Sequence, residues 1–178
     1  IAREDDTNNG VEPDKEKWIT KLDDEQISRY GRTIEKIVIA AAKEAGLDKD
    51  AIVAEGLGTL TYPVVRVMEK YQLAGMKLVQ FVVAEEKDHA YRCCNITENS
   101  WAMVGTHDNE PIRMWAQSMM GKAELTPHVD NLMDDLYANA ENRDAVRERL
   151  YTDDKFLAFS KLVEIFAAKN ENVQIFFT

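Results

Sequence analysis

Short, almost wholly apolar segments alternate with helical segments along this chain, and this alternation constrains the fold more than any other feature. The apolar segments are Ala51–Ala54, Met76–Val83, Trp101–Val104 and Val173–Phe177. Strands of this kind are typical of a parallel sheet whose two faces are both covered by helices. The sequence therefore predicts an α/β fold, either a doubly wound sheet or a barrel.

The first helix has clear signals at both ends. Asp23 and Asp24 are suited to capping its N-terminus, and Gly46 stands where a helix usually ends. Between them, apolar residues recur at three- and four-residue spacing from Ile27 to Ala45. We therefore expect one amphipathic helix between these signals.

Two later stretches of the chain have contrasting patterns. Residues 84–99 are charged and irregular, which predicts a long loop. Residues 110–169 have helical periodicity that is interrupted near Gly121, at 139–142 and near Thr152. The second stretch is therefore expected to form several separate helices.

Composition and charge exclude several classes of function. The chain has 22 Lys and Arg against 32 Asp and Glu, a formal net charge of -10 at pH 7, so its surface repels phosphate backbones and anionic lipid. It has no run of about 18 apolar residues, the length needed to cross a membrane. Its two cysteines, Cys93 and Cys94, are adjacent, which rarely suits a structural disulfide. We therefore expect no nucleic-acid partner, no membrane partner and a reducing, cytoplasmic location.

Polar residues follow two of the predicted strands. Glu55 comes after the first strand, and His107 and Asp108 come after the third. Because the carboxyl ends of parallel strands meet at one edge of a sheet, these side chains are expected to face one another across a pocket. His107 and Asp108 are also costly to bury unpaired, so a functional reason is expected for them after a buried strand.

Two carboxylates across a pocket suit cleavage of a glycosidic bond. One protonates the leaving oxygen, and the negative charge of the other stabilises positive charge that develops on the sugar ring. Glu55 and Asp108 are the candidates for these roles. The alternative for Glu55 is a helix-capping or solvent-facing residue.

A metal-dependent phosphohydrolase is the alternative for the His-Asp pair. Such a site collects several His and Asp ligands. Besides His107, the chain has His89 in the predicted loop and His128 at a predicted helix start, where a solvated or capping role is expected. No Cys-x-x-Cys or His-Glu-x-x-His pattern is present. We therefore predict no bound metal, and we interpret Cys93 and Cys94 as small buried thiols.

Three motifs occur in the same order as in a known family. Val53–Gly58, Gly75–Phe81 and the Gly-Thr-His-Asp-Asn motif Gly105–Asn109 resemble the strand-end motifs of the 4-alpha-glucanotransferases, also called amylomaltases or disproportionating enzymes. The closing segment Val173–Thr178 is also similar, and the resemblance covers most of the chain from about Ile34 onward. Three ordered motifs are far more specific than any one of them.

The resemblance implies the C-terminal half of a (β/α)8 TIM-type barrel, with strands five to eight and the helices between them. It implies a retaining enzyme that transfers alpha-1,4-glucan segments between maltooligosaccharides by double displacement and needs no cofactor. In that mechanism Glu55 is the acid/base residue, Asp108 stabilises the transition state, and His107 binds sugar hydroxyls. The corresponding domain assignment is a polar N-terminal segment over 1–22 and a half-barrel over 23–178.

The sequence differs from the family pattern in two places. Gly56 stands where the family usually has Asp, which removes one acceptor beside Glu55. The family nucleophile lies in an apolar strand reading Arg-Ile-Asp-His, whereas the Arg-x-Asp of this chain is Arg3-Glu4-Asp5, among polar residues. We therefore expect a fragment that lacks the nucleophile and is inactive alone. A non-catalytic glucan-binding or interaction module is the alternative.

A half-barrel would leave unpaired strand edges at Ala51–Ala54 and Val173–Phe177, and such edges pair readily with other chains. We therefore expect the isolated chain to self-associate. Light scattering at micromolar concentration tests this expectation, and a monodisperse monomer would contradict it.

Overall fold

A computed structural model of the chain describes residues 23–57, 62–168 and 172–174. These residues fall into two units, with the boundary between Met76 and Lys77. The polar segment 1–22, with Asp5 in it, and the predicted strand residues Ile175–Phe177 lie outside the described residues. No helix within the described ranges is both long and apolar enough to cross a lipid bilayer.

The first unit begins with a long helical run and continues with a strand, a helix and a second strand. Its elements are helix α1 (Asp24–Thr33), a π-helical segment (Ile34–Ile39), helix α2 (Ala40–Glu44), a 3-10 turn (Lys49–Ala51), strand β1 (Val53–Ala54), helix α3 (Tyr62–Tyr71) and strand β2 (Ala74–Leu78), which crosses the unit boundary. This is the predicted order of helix, strand, helix and strand.

The ends of the first helical run follow the sequence signals. The Asp23 carboxylate accepts from the Gln26 backbone N–H at 2.8 Å, and the Asp23 N–H donates to the Gln26 side chain at 2.8 Å, which is a complete capping box. At the other end Gly46 adopts a φ of +74°, the left-handed conformation that glycine adopts at low cost. A helical run with the predicted bounds is confirmed, but its middle, Ile34–Ile39, is π-helical rather than α-helical.

Strand β1 pairs with β2 in parallel, with Val53 opposite Ala74 and Ala54 opposite Gly75. Both strands are shorter than predicted. The Asp48 carboxylate accepts from the Lys49 N–H at 2.6 Å and starts the 3-10 turn, so the apolar run does not become strand until Val53. The predicted strand Met76–Val83 was likewise wrong in its second half, where residues 79–81 form a 3-10 turn.

The second unit consists of a short parallel strand pair and four helices that lie between the two strands in sequence. Its elements are 3-10 turns at Val79–Phe81 and Cys93–Asn95, strand β3 (Ser100–Met103), helices α4 (Ile112–Met119), α5 (Leu125–Asp135), α6 (Arg143–Thr152) and α7 (Asp154–Ala167), and strand β4 (Asn172–Gln174). β3 and β4 run parallel, with Ala102 opposite Val173. The predicted loop over 84–99 is confirmed, apart from its short 3-10 turn.

The helices of the second unit begin and end at the predicted interruptions. Gly121 takes a φ of +75° after α4. The Asn142 side chain accepts from the Ala145 N–H at 3.1 Å and caps α6, and the Asp153 carboxylate accepts from two backbone N–H groups and caps α7. The prediction of several helices over 110–169 is confirmed.

Two apolar clusters form the core of this unit. One lies among the four helices, where α4 and α6 both pack on α7. The other lies where β3, helix α7 and the loop that precedes β3 meet. Its buried members are Val79, Ile96, Ala102, Val104 and Ile165. Trp115 and Met119 lie in the helical core.

Two expectations about single residues were wrong. Cys93 is buried as predicted, but Cys94 is exposed because the 3-10 turn points adjacent side chains in different directions. His128 was expected to be solvated or capping, yet it is buried and packs edge-on against the Trp115 ring, with 5.2 Å between ring centroids. Helix α5 starts at Leu125, three positions earlier, so His128 lies on its inward face.

The burial of His128 makes the stability of this unit depend on pH. Burial, with a smaller effect of nearby Lys161, lowers the pKa of His128 to about 3. The unfolded chain, with a histidine pKa of about 6.5, takes up a proton below that pH that the folded chain does not. The folded state is therefore expected to lose up to about 1.4 kcal/mol per pH unit from about pH 6.5 towards pH 3.

Replacement of this histidine by an apolar residue tests the pH dependence. His128→Leu is expected to remove that part of the acid destabilisation, because no proton is then taken up on unfolding at this position. Urea unfolding at pH 7, 6 and 5 gives the change in unfolding free energy per pH unit for the parent and for His128→Leu. An equal change in the two proteins would contradict the prediction.

Candidate active site

Glu55 lies at the carboxyl end of β1, in a tight turn. The Gly56 N–H donates to the Ala54 carbonyl at 3.0 Å, so that the turn is centred on Glu55. The side chain of Glu55 is exposed to solvent. The location at the end of a parallel strand is the predicted one, and the exposure also agrees with the alternative of a solvent-facing residue.

His107 and Asp108 lie side by side in the turn that follows β3. Their side chains are 72% and 76% exposed, and the His107 Nε2 is 3.4 Å from the Asp108 Oδ1. We expected that burial of this pair would be costly and would need a functional reason. Neither side chain is buried, so that argument does not apply. The two residues are instead presented to solvent at the end of a buried strand.

Buried Thr106 and half-buried Asn109, next to this pair, hold the turn. The Asn109 Oδ1 accepts from both the backbone N–H of Thr106, at 2.7 Å, and the Thr106 hydroxyl, at 3.0 Å. The Thr106 Oγ1 in turn accepts from the Asp108 N–H at 3.3 Å. The Asn109 N–H donates to the Thr106 carbonyl at 3.1 Å. The exposed residues of the turn therefore stand on a hydrogen-bonded base.

Gln80 supports the same turn from the segment after β2. Its Nε2 donates to the Glu110 carbonyl at 3.3 Å. A Cβ at Gly105 would lie 3.2 Å from both the Gln80 Oε1 and the Asn109 Cβ, so a side chain there would crowd the turn. Because Gly105 has no side chain, Gln80 and Asn109 can lie close to its backbone.

The structure brings together His107 and Asp108, which adjoin in the second unit, while Glu55 belongs to the first unit. The roles assigned to these three residues remain predictions. Sequence reasoning missed Thr106, Asn109 and Gln80 as supporting residues. All three lie inside the motifs shared with the family, but only the folded turn shows which of their atoms form hydrogen bonds.

Sequence reasoning also missed a group of ionic side chains inside the second unit, which we call the buried ion network: Arg92, Asp135, Lys161 and Glu164. Arg92 donates to Asp135 through Nε at 2.9 Å and Nη2 at 2.7 Å, and both side chains are 8% exposed. Lys161 and Glu164 form an ion pair one turn apart on α7, and both are almost completely buried. The loop 84–99 is thereby tied to helix α5.

Three members of this region have the chemistry to bind a metal. One ligand atom each of Cys93, Asp135 and Glu164 lies within 4.8 Å of the others. However, Asp135 is already paired with Arg92 and Glu164 with Lys161, so a metal would compete with two resident cations. Burial also raises the pKa of the Cys93 thiol well above its usual range, which opposes the thiolate that a metal requires. The arrangement fits internal ion pairing better than metal binding.

Comparison with known protein families decides where this chain belongs. The family described as 4-alpha-glucanotransferase matches residues 14–171, a range that contains Glu55, His107 and Asp108. The chain belongs to the 4-alpha-glucanotransferase family. The resemblance inferred from three ordered motifs is thereby confirmed, and with it the assignment to a family of glycosyl-transferring enzymes.

Individual 4-alpha-glucanotransferases match shorter stretches. The Clostridium butyricum enzyme is 34% identical over 79 residues, which is 44% of this chain and 16% of the relative. The chloroplastic/amyloplastic enzyme of Solanum tuberosum is 34% identical over 64 residues, 36% of this chain and 11% of the relative. That of Arabidopsis thaliana is 36% identical over 70 residues, 39% of this chain and 12% of the relative. The matched stretch thus spans about a sixth of the relative or less.

The buried ion network gives a prediction about the stability of this chain. Asp135→Asn leaves the Arg92 guanidinium buried without its bidentate carboxylate, which is expected to cost about 3 kcal/mol of unfolding free energy. Urea unfolding measures the loss. Asp130→Asn is the matched control, because Asp130 pairs with Arg147 at the surface, where the cost is expected to be below about 1 kcal/mol. Equal losses in the two variants would refute the prediction.

Proposed function

We propose that this chain supplies part of the catalytic machinery of a 4-alpha-glucanotransferase, which transfers alpha-1,4-glucan segments between maltooligosaccharides with retention of configuration. The observation that carries the proposal is the solvent-facing His107–Asp108 pair, which stands on a hydrogen-bonded turn at the end of a parallel strand. An exposed carboxylate beside an imidazole, on a turn held by hydrogen bonds of Thr106 and Asn109, is suited to meet a sugar ring rather than to stabilise the fold.

Each residue has one role in the proposed reaction. Glu55 donates a proton to the glycosidic oxygen as the bond to the leaving glucan breaks, and later accepts a proton from the hydroxyl of the acceptor sugar. Asp108 stays ionised and stabilises the positive charge that develops on the ring, while His107 donates a hydrogen bond to a sugar hydroxyl. The covalent intermediate requires a third carboxylate as nucleophile. Neither Glu55 nor Asp108 is assigned that role.

The proposed architecture is the second half of a (β/α)8 barrel over 23–178, preceded by the polar segment 1–22. In support, the described strands are parallel within each unit, and helices connect β1 to β2 and β3 to β4. Parallel strands joined by helical crossovers are the repeating unit of such a barrel. Glu55 and Asp108 both follow the carboxyl ends of their strands, which is where catalytic residues of barrels lie.

The maltooligosaccharide substrate is proposed from the family and from the names of the relatives. The cytoplasmic location stays a prediction, and the two plant relatives are named chloroplastic/amyloplastic. The family match gives no support to the alternative of a metal-dependent phosphohydrolase. Two further predictions are tested by the experiments below. One is that this chain is inactive by itself, and the other is that it binds glucan without turnover.

Incubation of the complete gene product with maltotriose tests the proposed reaction. Transfer of a maltosyl unit from one maltotriose to another gives glucose and maltopentaose, which chromatography separates by size. Glu55→Gln and Asp108→Asn are each expected to lower the rate by about a hundredfold or more, whereas Asp130→Asn, at a residue that pairs with Arg147 at the surface outside both turns, is expected to change it little.

The same assay on this 178-residue chain, with calorimetric titration of maltotriose, decides between the remaining functions. Binding without products would indicate a glucan-binding module that depends on a nucleophile elsewhere. Unchanged transfer in both Glu55→Gln and Asp108→Asn would refute the assigned roles.

A further inference from the structure

An aspartate in a turn normally bonds to the backbone of its own turn. Asp and Asn side chains accept from nearby N–H groups and so cap turns and helix ends. In the turn after β3 this capping is performed by Asn109, whose Oδ1 accepts from the backbone and the hydroxyl of Thr106. The Asp108 carboxylate is therefore not required to cap the turn, and it stands 76% exposed beside His107.

The Thr106 hydroxyl connects Asn109 to Asp108. A hydroxyl has one proton and two lone pairs. Since its proton goes to the Asn109 Oδ1 at 3.0 Å, a lone pair accepts from the Asp108 N–H at 3.3 Å. The backbone position of Asp108 thus depends on a two-step relay from Asn109 through Thr106.

Thr106, the centre of the relay, is buried and Asn109 is half-buried, while Asp108 is exposed. Thr106 is 7% exposed, and its packing fixes the hydroxyl in place. Gln80 and Gly105 close the opposite side of the turn, where a Cβ at Gly105 would be 3.2 Å from Asn109 and Gln80 atoms. A functional group that is held in place by hydrogen bonds loses little entropy when it meets its ligand.

The geometry points to Thr106 and Asn109 as positioning residues, which hold the Asp108 backbone through the Thr106 hydroxyl and leave the Asp108 carboxylate available to the sugar. This inference rests on the proposed role of Asp108 as transition-state stabiliser. Thr106 and Asn109 do not touch substrate in this account. They act through Asp108, so that their loss lowers kcat more than it changes KM.

Two substitutions at one position separate the hydroxyl from the shape of the side chain. Thr106→Val keeps the branched shape and removes the hydroxyl, whereas Thr106→Ser keeps the hydroxyl. Thr126→Val is the matched control, since Thr126 is exposed on α5 outside the turn. If Thr106→Val does not fold, Asn109→Ala and Asn109→Asp give the same contrast, because Asp retains the acceptor oxygen that Ala lacks.

The first readout is backbone mobility and does not require activity. In this chain, the NMR order parameters of the N–H groups at 107–109 are expected to be about 0.85 in the parent and in Thr106→Ser. In Thr106→Val they are expected to fall below about 0.6. Unchanged order parameters in Thr106→Val would overturn the inference, whatever the activity of the protein.

The second readout is transfer from maltotriose by the complete gene product. Thr106→Val removes both hydrogen bonds of the hydroxyl and is expected to lower kcat about tenfold or more, with KM changed less than twofold. Thr106→Ser is expected to restore kcat. Loss of order without loss of kcat would overturn the link to Asp108. An inactive parent that binds no maltooligosaccharide would refute the proposed function, while the order parameters would still decide whether Thr106 and Asn109 position Asp108.

Discussion

Parallel pairing of short strands is the constraint on which the rest of this structure depends. Two parallel strands cannot be joined by a tight hairpin, so the chain must return through a long connection, usually helical, before the next strand begins. Helix α3 makes that return between β1 and β2, and helices α4 to α7 lie between β3 and β4. The same constraint makes the chain turn at the carboxyl end of each strand. Glu55 and the His107–Asp108 pair lie in two of these turns.

The second unit separates charged groups that hold the fold from charged groups that face solvent. Arg92, Asp135, Lys161 and Glu164 are paired inside, where an unpaired charge would be costly, and they tie the loop 84–99 to the helices. His107 and Asp108 are exposed and rest on neutral hydrogen bonds. Within the described residues, the capping bonds of this turn are made by Asn109 and not by the Asp108 carboxylate.

Much of the secondary structure could be predicted because its causes are local. The capping box at Asp23, the left-handed glycines 46 and 121 and the cap at Asp153 act within a few residues, and the helices begin or end where those signals lie. Strand lengths were predicted less well. Apolar residues at Ala51 and Val79 fit a strand or a 3-10 turn equally. At Ala51 the neighbouring Asp48 cap starts the turn, and at Val79 the turn buries this side chain in the apolar cluster that includes Ile165.

The sequence by itself determined the α/β class, the order of the elements and the family, because apolar periodicity and three ordered motifs lie in the chain itself. It also determined that polar residues follow the strands. The tertiary structure decided which of those residues are exposed, that Asn109 and Thr106 support Asp108, and that His128 is buried beside Trp115. It also paired Arg92 with Asp135, two residues far apart in sequence, through burial and hydrogen bonding that exist only when distant segments meet.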